Sequence, residues 1–258
     1  MEQMIDLNSD LGESFGAWTL GDDARVLDSV TSANVACGFH AGDPQIMLQT
    51  VRAARERGVA VGAHPGYPDL VGFGRRPMAC SPEEVYAFCL YQIGALAAVC
   101  RAEGVPLCHV KPHGALYNQS CTDAPLARAI ARAVHDAAPD LILLGMAGSE
   151  HEAAAKEVGV PFAAEAFADR AYRSDGSLVP RAQKGSVLHD PETIAARVLQ
   201  MVRDGTVEAD GGVTIPLHVA SVCAHGDNPA ACQVLVAVRS ALDQAGVRVR
   251  SLRDVISR

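Results

Sequence analysis

Residues 107–118 read L-C-H-V-K-P-H-G-A-L-Y-N, a short run that stops at a proline and a glycine. His109, Lys111 and His113 occupy alternate positions, and alternate side chains of a strand point to the same face. An ammonium group on the inner face of a sheet is costly to bury unless a carboxylate or an anionic ligand pairs with it. The stretch therefore predicts a buried strand that carries Lys111 into a polar site, with His109 one layer deeper.

Similar short apolar runs recur along the chain, separated by longer segments of helical period, which is typical of a parallel sheet crossed by helices. Helices are predicted to begin at Asp43-Pro44, Ser81-Pro82 and Asp190-Pro191, where a capping oxygen precedes a proline at the first helical position. The predicted strands are Met4–Leu7, Ser32–Cys37, Ala60–Ala63, Leu107–Lys111, Leu141–Met146, Phe162–Phe167 and Leu217–Ala224.

Repeated strand and helix units either close into a barrel or open into a doubly wound sheet. A G-x-G-x-x-G motif after the first strand would favour a dinucleotide-binding sheet, and this sequence has none there. We therefore predict an α/β fold, a distorted seven-stranded β/α barrel of the TIM-like kind. The 258 residues contain no Ser/Gly/Pro-rich linker, so a single domain over residues 1–258 is expected.

The charge and cysteine pattern excludes several classes of protein. The formal net charge is −8, and single, scattered Lys and Arg residues argue against binding nucleic acid or an anionic membrane. The eight cysteines form no C-x-x-C pair and are interpreted as reduced core residues. A basic segment followed by an apolar one is absent from the N-terminus, and no apolar run approaches the roughly 20 residues of a membrane span. We expect a cytoplasmic location.

In a β/α barrel the chemistry lies on the loops that follow the strands. Asp6, Asn8 and Asp10 share one face of the first strand, and Glu13 follows them. His40 comes after the second strand between two glycines, and the nearby Asp43 is better explained as a helix cap. Another histidine, His64, ends the third strand just before a rigid Pro/Gly-rich turn.

The later strands continue this pattern, with one exception. Tyr117 follows the fourth strand, and further polar residues come at or after the sixth and seventh strands: Glu165, Asp169, Arg170, His225 and Asp227. Asp227 can equally serve as a helix cap. The fifth strand is followed by no catalytic group, and Ser149 with Glu152 fits a capping box, so this strand is interpreted as structural.

A segment without clear periodicity, Asp169–Asp190, is long enough to be a functional loop that covers the site. It contributes Arg181 and Lys184. Arg75 and Arg76 lie on another loop, where they fit either a solvated surface or a contact to substrate phosphate.

Seven motifs together resemble the LamB/YcsF family of 5-oxoprolinase A subunits. They are D-L-N-S-D-L-G-E (6–13), A-C-G-F-H-A-G-D-P (36–44), G-A-H-P-G-Y-P-D (62–69), G-F-G-R-R (72–76), V-K-P-H-G-A-L-Y-N (110–118), A-D-R-A-Y (168–172) and H-G-D (225–227). The resemblance implies a barrel related to those of polysaccharide deacetylases and glycosidases, and two partner subunits, B and C. It also implies a hydrolase of cyclic amides that opens the lactam of 5-oxo-L-proline to L-glutamate with ATP, giving ADP and phosphate.

The implied reaction assigns a role to each group of residues. The catalytic set is Asp10, Glu13, His40, His64, Lys111 and His113, because proton transfer needs groups that titrate near neutrality. The substrate-binding set is Asp6, Asn8, Tyr117, Glu165, Asp169, Arg170, His225 and Asp227. Loop cations Arg75, Arg76, Arg181 and Lys184 would contact phosphate. ATP, with Mg²⁺, is expected as co-substrate, and since the chain has no G-x-x-x-x-G-K-[ST] loop, its site is unconventional or lies mainly on a partner subunit.

Two other functions fit the same residues. A metal-dependent amidohydrolase or carbohydrate deacetylase would use Asp10, His40 and His64 as ligands of a divalent ion. A noncatalytic subunit that binds a small molecule would need only the polar barrel mouth.

Overall fold

The computed structural model describes residues 3–224 and 231–257. Its strands are β1 (Met4–Leu11), β2 (Ser32–Ala36), β3 (Ala60–His64), β4 (Leu107–Val110), β5 (Ile142–Met146), β6 (Phe162–Phe167), β7 (Thr206–Glu208), β8 (Thr214–Pro216), β9 (Ser221–Cys223) and β10 (Arg248–Val249). Strands β1 to β6 pair in sequence, all parallel, and β9 joins β6 to β1. These seven strands form a closed barrel, as predicted.

The strand boundaries differ from the predicted ones at both ends of the chain. Strand β1 continues to Leu11, so Asn8 and Asp10 lie on the strand itself rather than on the loop after it. The predicted strand Leu217–Ala224 is reduced to the three residues of β9. The β7–β8 hairpin and β10 were not predicted, because strands of two or three residues are too short to show a periodicity.

The helices surround the barrel. They are α1 (Asp23–Leu27), α2 (Pro44–Glu56), α3 (Pro82–Ala102), α4 (Gly114–Ser120), α5 (Ala124–Ala137), α6 (Glu150–Val158), α7 (Pro191–Asp204), α8 (Ala231–Gln244) and α9 (Leu252–Ile256). The predicted starts are confirmed: the side chains of Asp43, Ser81 and Asp190 accept hydrogen bonds from backbone N–H groups of α2, α3 and α7. These caps fix where each helix leaves the loop that bears the site.

Helix α3 is long and apolar enough to cross a membrane by length and composition, so the expectation that no segment approaches this length was wrong. The core helix of a globular fold passes the same test. Val85, Cys89, Ile93 and Leu96 are buried along one side of α3, and the helix packs against β3 and α5. These contacts account for the apolar residues on that side of the helix.

The barrel interior contains polar groups where a purely structural barrel would be filled by aliphatic side chains. Asp6, Asn8, Asn34, His109 and Glu165 are fully buried. His109 fits because Gly62 on the neighbouring strand has no side chain: a Cβ there would lie 2.1 Å from the His109 Nε2 atom. The strands thus bring polar groups into contact below the mouth of the barrel.

Candidate active site

A cavity of about 700 Å³ opens where the barrel strands end, a volume typical of small-molecule sites. Six of the predicted site residues line its barrel side: Asp10, Glu13, His64, Lys111, His113 and Tyr117. Arg75, Arg170 and Arg181 line it from the loops. The structure thus brings nine of the predicted site residues to one cavity.

Lys111 stands at the centre of the barrel mouth and is buried. Its ammonium Nζ lies 3.2 Å from Asp10 Oδ1 and 3.2 Å from Glu165 Oε2, and it donates to Asn8 Oδ1. Burial by itself would lower the pKa of Lys111, but Asp10, Cys223 and Glu165 together raise it well above its usual value. Lys111 is therefore always protonated, and two carboxylates of this chain, rather than a ligand, neutralise its buried charge.

Below Lys111, the polar side chains bond to one another. Asn34 donates to Asn8 Oδ1 at 2.8 Å and to Asp10 Oδ1 at 2.9 Å. Asp6 accepts hydrogen bonds from Thr31, Ser32 and Ser221. Neither Asp6, Asn8 nor Glu165 lines the cavity, so the structure places these three predicted substrate contacts in a supporting layer.

Burial dominates the protonation of Asp6. It raises the pKa of this carboxyl from 3.8 to about 6, and the nearby Glu165 also raises it, although hydrogen bonds from Ser221, Ser32 and Thr31 lower it. Asp6 is thus a buried carboxyl group that keeps its proton to a higher pH than an exposed one does.

Four side chains form a compact group, which we call the imidazole cluster: Glu13, His40, His64 and His113. One potential ligand atom from each lies within 4.8 Å of the others. Glu13 Oε1 lies 3.3 Å from His40 Nε2 and 3.5 Å from His113 Nδ1. His64 Nε2 lies 3.0 Å from His113 Nδ1 and 3.3 Å from Asp10 Oδ2.

The rings of His40 and His113 stack in parallel, with centroids 3.7 Å apart. Burial lowers the pKa of both residues well below 6.5, and the neighbouring imidazoles lower it further. Both rings are therefore neutral at physiological pH. His40 is fully buried and does not line the cavity, whereas His64 and His113 do.

The loop after β3 holds the imidazole cluster from the outside. Phe73 adopts a positive φ of 54°, which is unusual for a bulky residue, and its carbonyl oxygen lies 2.8 Å from His113 Nε2. The next residue, Gly74, has φ 61°, and a Cβ there would lie 2.7 Å from the Cβ of His40. The loop therefore closes tightly over both rings, which explains a glycine at this position.

The segment Asp169–Asp190, which we call the lid, contains neither helix nor regular strand, as predicted. Arg170 fastens it, because its guanidinium donates to the backbone carbonyls of Ser186 and Val179. Burial, followed by the neighbouring cations Arg181 and Arg75, lowers the pKa of Arg170 to about 10. Arg170 thus holds the lid in place, which the sequence did not reveal.

Several predicted residues lie away from the cavity. Arg76 pairs with Asp69 on the surface, and Lys184 is exposed on the lid but does not line the cavity. Asp169 is buried, and its carbonyl accepts from Leu188 at the base of the lid. Of the two interpretations of Arg76, the surface position fits, because its side chain is exposed and pairs with Asp69 away from the cavity. His225 and Asp227 lie outside the described residues.

Tyr117 borders the cavity from α4. Its hydroxyl is buried beside the Glu165 carboxylate. Burial, together with the Glu165 carboxylate, raises the pKa of Tyr117 well above 10, so the phenol stays protonated. It is thus a hydrogen-bond donor at the edge of the cavity.

The end of β5 contributes to the cavity through small residues, Gly148 and Ser149 among them, rather than through titratable groups. The predicted capping box is only partly formed: Ser149 caps the N–H of His151, and Glu152 accepts from Gly148 N rather than from Ser149 N.

Sequence reasoning missed three residues that shape the site. Asn34 joins Asn8 to Asp10, Cys223 Sγ lies 3.1 Å from Lys111 Nζ, and Arg173 lines the lid side of the cavity. Asn34 had a signal, since it is polar inside the apolar run S-A-N-V-A and two residues after Ser32. Cys223 had none, because a cysteine in an apolar strand is ordinarily a core residue.

Known proteins match nearly the whole chain. The profile of the LamB/YcsF family matches residues 5–257. A protein of Symbiobacterium thermophilum, named as the A subunit of 5-oxoprolinase, is 58% identical over 245 residues, which cover 95% of this chain and 94% of that protein. A protein of Pyrococcus abyssi with the same name is 53% identical, with 98% and 99% covered.

Solved structures agree with the fold. A lactam utilization protein from Thermus thermophilus superposes with a TM-score of 0.92 at 53% identity, covering 96% of this chain and all of that one. A structure described as T48 deacetylase with substrate gives a TM-score of 0.54 at 13% identity, covering 99% and 92%, which shows a shared fold alone.

Proposed function

The chain belongs to the LamB/YcsF family, as its motifs predicted, and we propose that it acts as the A subunit of a 5-oxoprolinase. The reaction is the ATP-dependent opening of the 5-oxo-L-proline lactam to L-glutamate, with ADP and phosphate as the other products. The observation that carries the proposal is the cavity, which faces a carboxylate and imidazole wall on one side and lid arginines on the other. Such a cavity suits an anionic substrate that needs proton transfer and acquires phosphate charge.

The chemistry explains why ATP is required. A lactam carbonyl is weakly electrophilic and its nitrogen is a poor leaving group. Transfer of the γ-phosphoryl group to the amide oxygen activates the carbon, water then adds, and the ring opens as the nitrogen is protonated. Hydrolysis of the resulting acyl phosphate by a second water releases phosphate. In this proposal ATP, with Mg²⁺, binds mainly to the partner subunits B and C.

The lining residues divide the work. Asp10 is the proton acceptor for the attacking water, because it faces the cavity and Lys111 and Asn34 hold one of its oxygens. Tyr117 donates a hydrogen bond to the substrate. Arg75, Arg173 and Arg181 attract the substrate carboxylate and the phosphoryl group. Arg170 keeps the lid arginines in position.

Glutamate release provides the test. The purified chain is incubated with 5-oxo-L-proline and ATP, alone and with its two partner subunits, and glutamate is measured with a coupled dehydrogenase. We expect glutamate only when ATP and all three subunits are present. If no combination yields ATP-dependent glutamate, the proposed function is wrong.

The imidazole cluster favours one alternative, a metal-dependent amidohydrolase or deacetylase. That enzyme would release acetate from an N-acetylated sugar without ATP and would lose this activity to a chelator. The same preparations measured with such a sugar distinguish the two functions directly.

We also propose one cytoplasmic domain. Strand β10 and helix α9, near the end of the chain, both pack against β1, near its beginning, so the barrel joins distant parts of the sequence. All eight cysteines are free thiols, which suits a reducing compartment. Redox state and location are checked by thiol titration and fractionation of cells that express the chain.

A further inference from the structure

The two imidazole rings that face the cavity are each oriented by a backbone carbonyl. His64 Nδ1 lies 2.7 Å from the carbonyl oxygen of Lys111, and His113 Nε2 lies 2.8 Å from that of Phe73. A carbonyl oxygen only accepts, so each of these nitrogens carries a hydrogen. The other nitrogen of each ring, His64 Nε2 and His113 Nδ1, is therefore the one that can bind a metal ion.

These two nitrogens lie close to each other and to two carboxylates. The two nitrogens are 3.0 Å apart, His64 Nε2 is 3.3 Å from Asp10 Oδ2, and His113 Nδ1 is 3.5 Å from Glu13 Oε1. Imidazole nitrogens and carboxylate oxygens are the ligand atoms that zinc binds in proteins. The arrangement of backbone carbonyls behind the rings is the usual outer shell of histidine metal ligands.

The spacing fits a metal ion. Zinc binds histidine nitrogen and carboxylate oxygen at about 2.0–2.2 Å, so ligand atoms of a tetrahedral site are about 3.3–3.5 Å apart. His113 Nδ1 lies 3.0 Å from His64 Nε2 and 3.5 Å from Glu13 Oε1, close to this value, and one potential ligand atom of each residue lies within 4.8 Å of the others.

His40 differs from the other two histidines. Its Nδ1 has no hydrogen-bond partner among the described residues, so no outer-shell acceptor orients it as a ligand. Its Nε2 lies 3.3 Å from Glu13 Oε1, and its ring stacks on His113 without lining the cavity. These contacts suit a residue that donates to Glu13 and positions it.

We propose that Glu13, His64 and His113 bind one divalent metal ion of the zinc class at the barrel mouth, with Asp10 beside it and His40 as a positioning residue. This assignment adds a metal ion to the proposed active site, and a catalytic role for the ion rests on the proposed function. Two histidines and one glutamate are a ligand set of catalytic zinc, which leaves a coordination position for water or substrate. A bound ion would polarise an oxygen of the activated lactam. The set shares only His64 with the ligands expected from sequence.

Metal binding by the purified chain tests this assignment without ATP, 5-oxoproline or partner subunits. After treatment with a chelator and dialysis, the chain is titrated with Zn²⁺ by calorimetry and with Co²⁺ by visible absorption. We expect one equivalent of each ion and the ligand-field bands of a low-symmetry Co²⁺ site. Glu13→Gln, which preserves shape, and His113→Ala should weaken binding by at least about 100-fold.

Two further variants separate ligands from neighbours. His40→Gln should retain one equivalent, with binding weakened by roughly 10- to 100-fold as for other outer-shell residues. His151→Gln is the matched control, because His151 is equally buried but bonds to Ser120 away from the cluster. It should bind as the unmodified chain does, and circular dichroism verifies that each variant is folded.

The outcomes are distinct. A folded chain that binds neither ion, or Glu13→Gln and His113→Ala variants that bind normally, would overturn the metal assignment. Loss of binding in His40→Gln as complete as in His113→Ala would overturn the positioning role. ATP-dependent glutamate release by a metal-free chain would refute the metal alone, whereas a bound ion without any ATP-dependent glutamate release would refute only the proposed function.

Discussion

The barrel interior and the lid face the same cavity, but their polar groups are held in different ways. Inside the barrel, Asp10 of β1 bonds to Asn34 of β2 and to Lys111 at the end of β4, and each of the three is buried or nearly so. On the lid, Arg170 is fastened to backbone carbonyls, while Arg181 is exposed. The interior groups are thus part of the folded core, whereas an exposed lid cation such as Arg181 can be replaced without disturbing that core. Substitutions in the interior should therefore affect stability or turnover, and substitutions on the lid should affect substrate binding.

The largest effect is expected for His113→Ala in the complete assembly. The substitution removes a ring from the imidazole cluster, and groups that transfer protons or bind a catalytic ion typically contribute 10²- to 10⁴-fold, so kcat should fall by about that factor. Steady-state glutamate release measures it. His135→Gln, at an exposed histidine, is the control and should leave kcat unchanged. A His113→Ala variant with normal kcat would show that the interior wall is not catalytic.

Lys111→Met should mainly reduce stability. It leaves Asp10 and Glu165 without their shared ammonium, and removing one partner of a buried ion pair typically costs about 3–5 kcal/mol in the free energy of unfolding. Urea unfolding measures the change. Arg128→Met removes a pair that is half exposed on the surface and should change stability little. Equal effects of the two substitutions would contradict the distinction between interior and surface.

Asp6 predicts a pH dependence of stability. The folded chain holds its proton up to a pKa of about 6, whereas the unfolded chain releases it near 3.8. Between these values the folded state binds more protons, so Asp6 contributes less to stability as pH rises, by about 3 kcal/mol over this window. The stability of the unmodified chain minus that of Asp6→Asn should fall accordingly between pH 4 and pH 6. A difference that stays flat would contradict the burial of an ionisable Asp6.

The smallest effect is expected on the lid. Arg181→Met removes an exposed cation that lines the cavity. One charged hydrogen bond to substrate contributes about 1.4 kcal/mol of binding free energy, so KM for 5-oxoproline should rise about tenfold. Stability should not change. Lys184→Met, also on the lid but away from the cavity, is the matched control. Equal KM values for the two variants would show that Arg181 does not bind substrate.

Local pattern was sufficient for much of the fold. Alternation of short apolar runs with capped helices predicted seven barrel strands. Strand periodicity, helix periodicity and proline caps can each be recognised within a few consecutive residues. The β7–β8 hairpin and β10 escaped because pairing with a distant partner, rather than composition, makes them strands. Residue type and position at strand ends likewise located Asp10, His64, Lys111 and His113 at the cavity.

What the sequence determined was therefore which groups reach the barrel mouth, since chain direction and side-chain alternation place them there whatever their partners are. Tertiary structure alone decided their partners. Lys111 is neutralised by Asp10 and Glu165, His40 supports Glu13, and Arg170 fastens the lid. The physical reason is that hydrogen bonds and ion pairs depend on separations of about 3 Å between residues far apart in the chain. Such distances exist only once the barrel has closed.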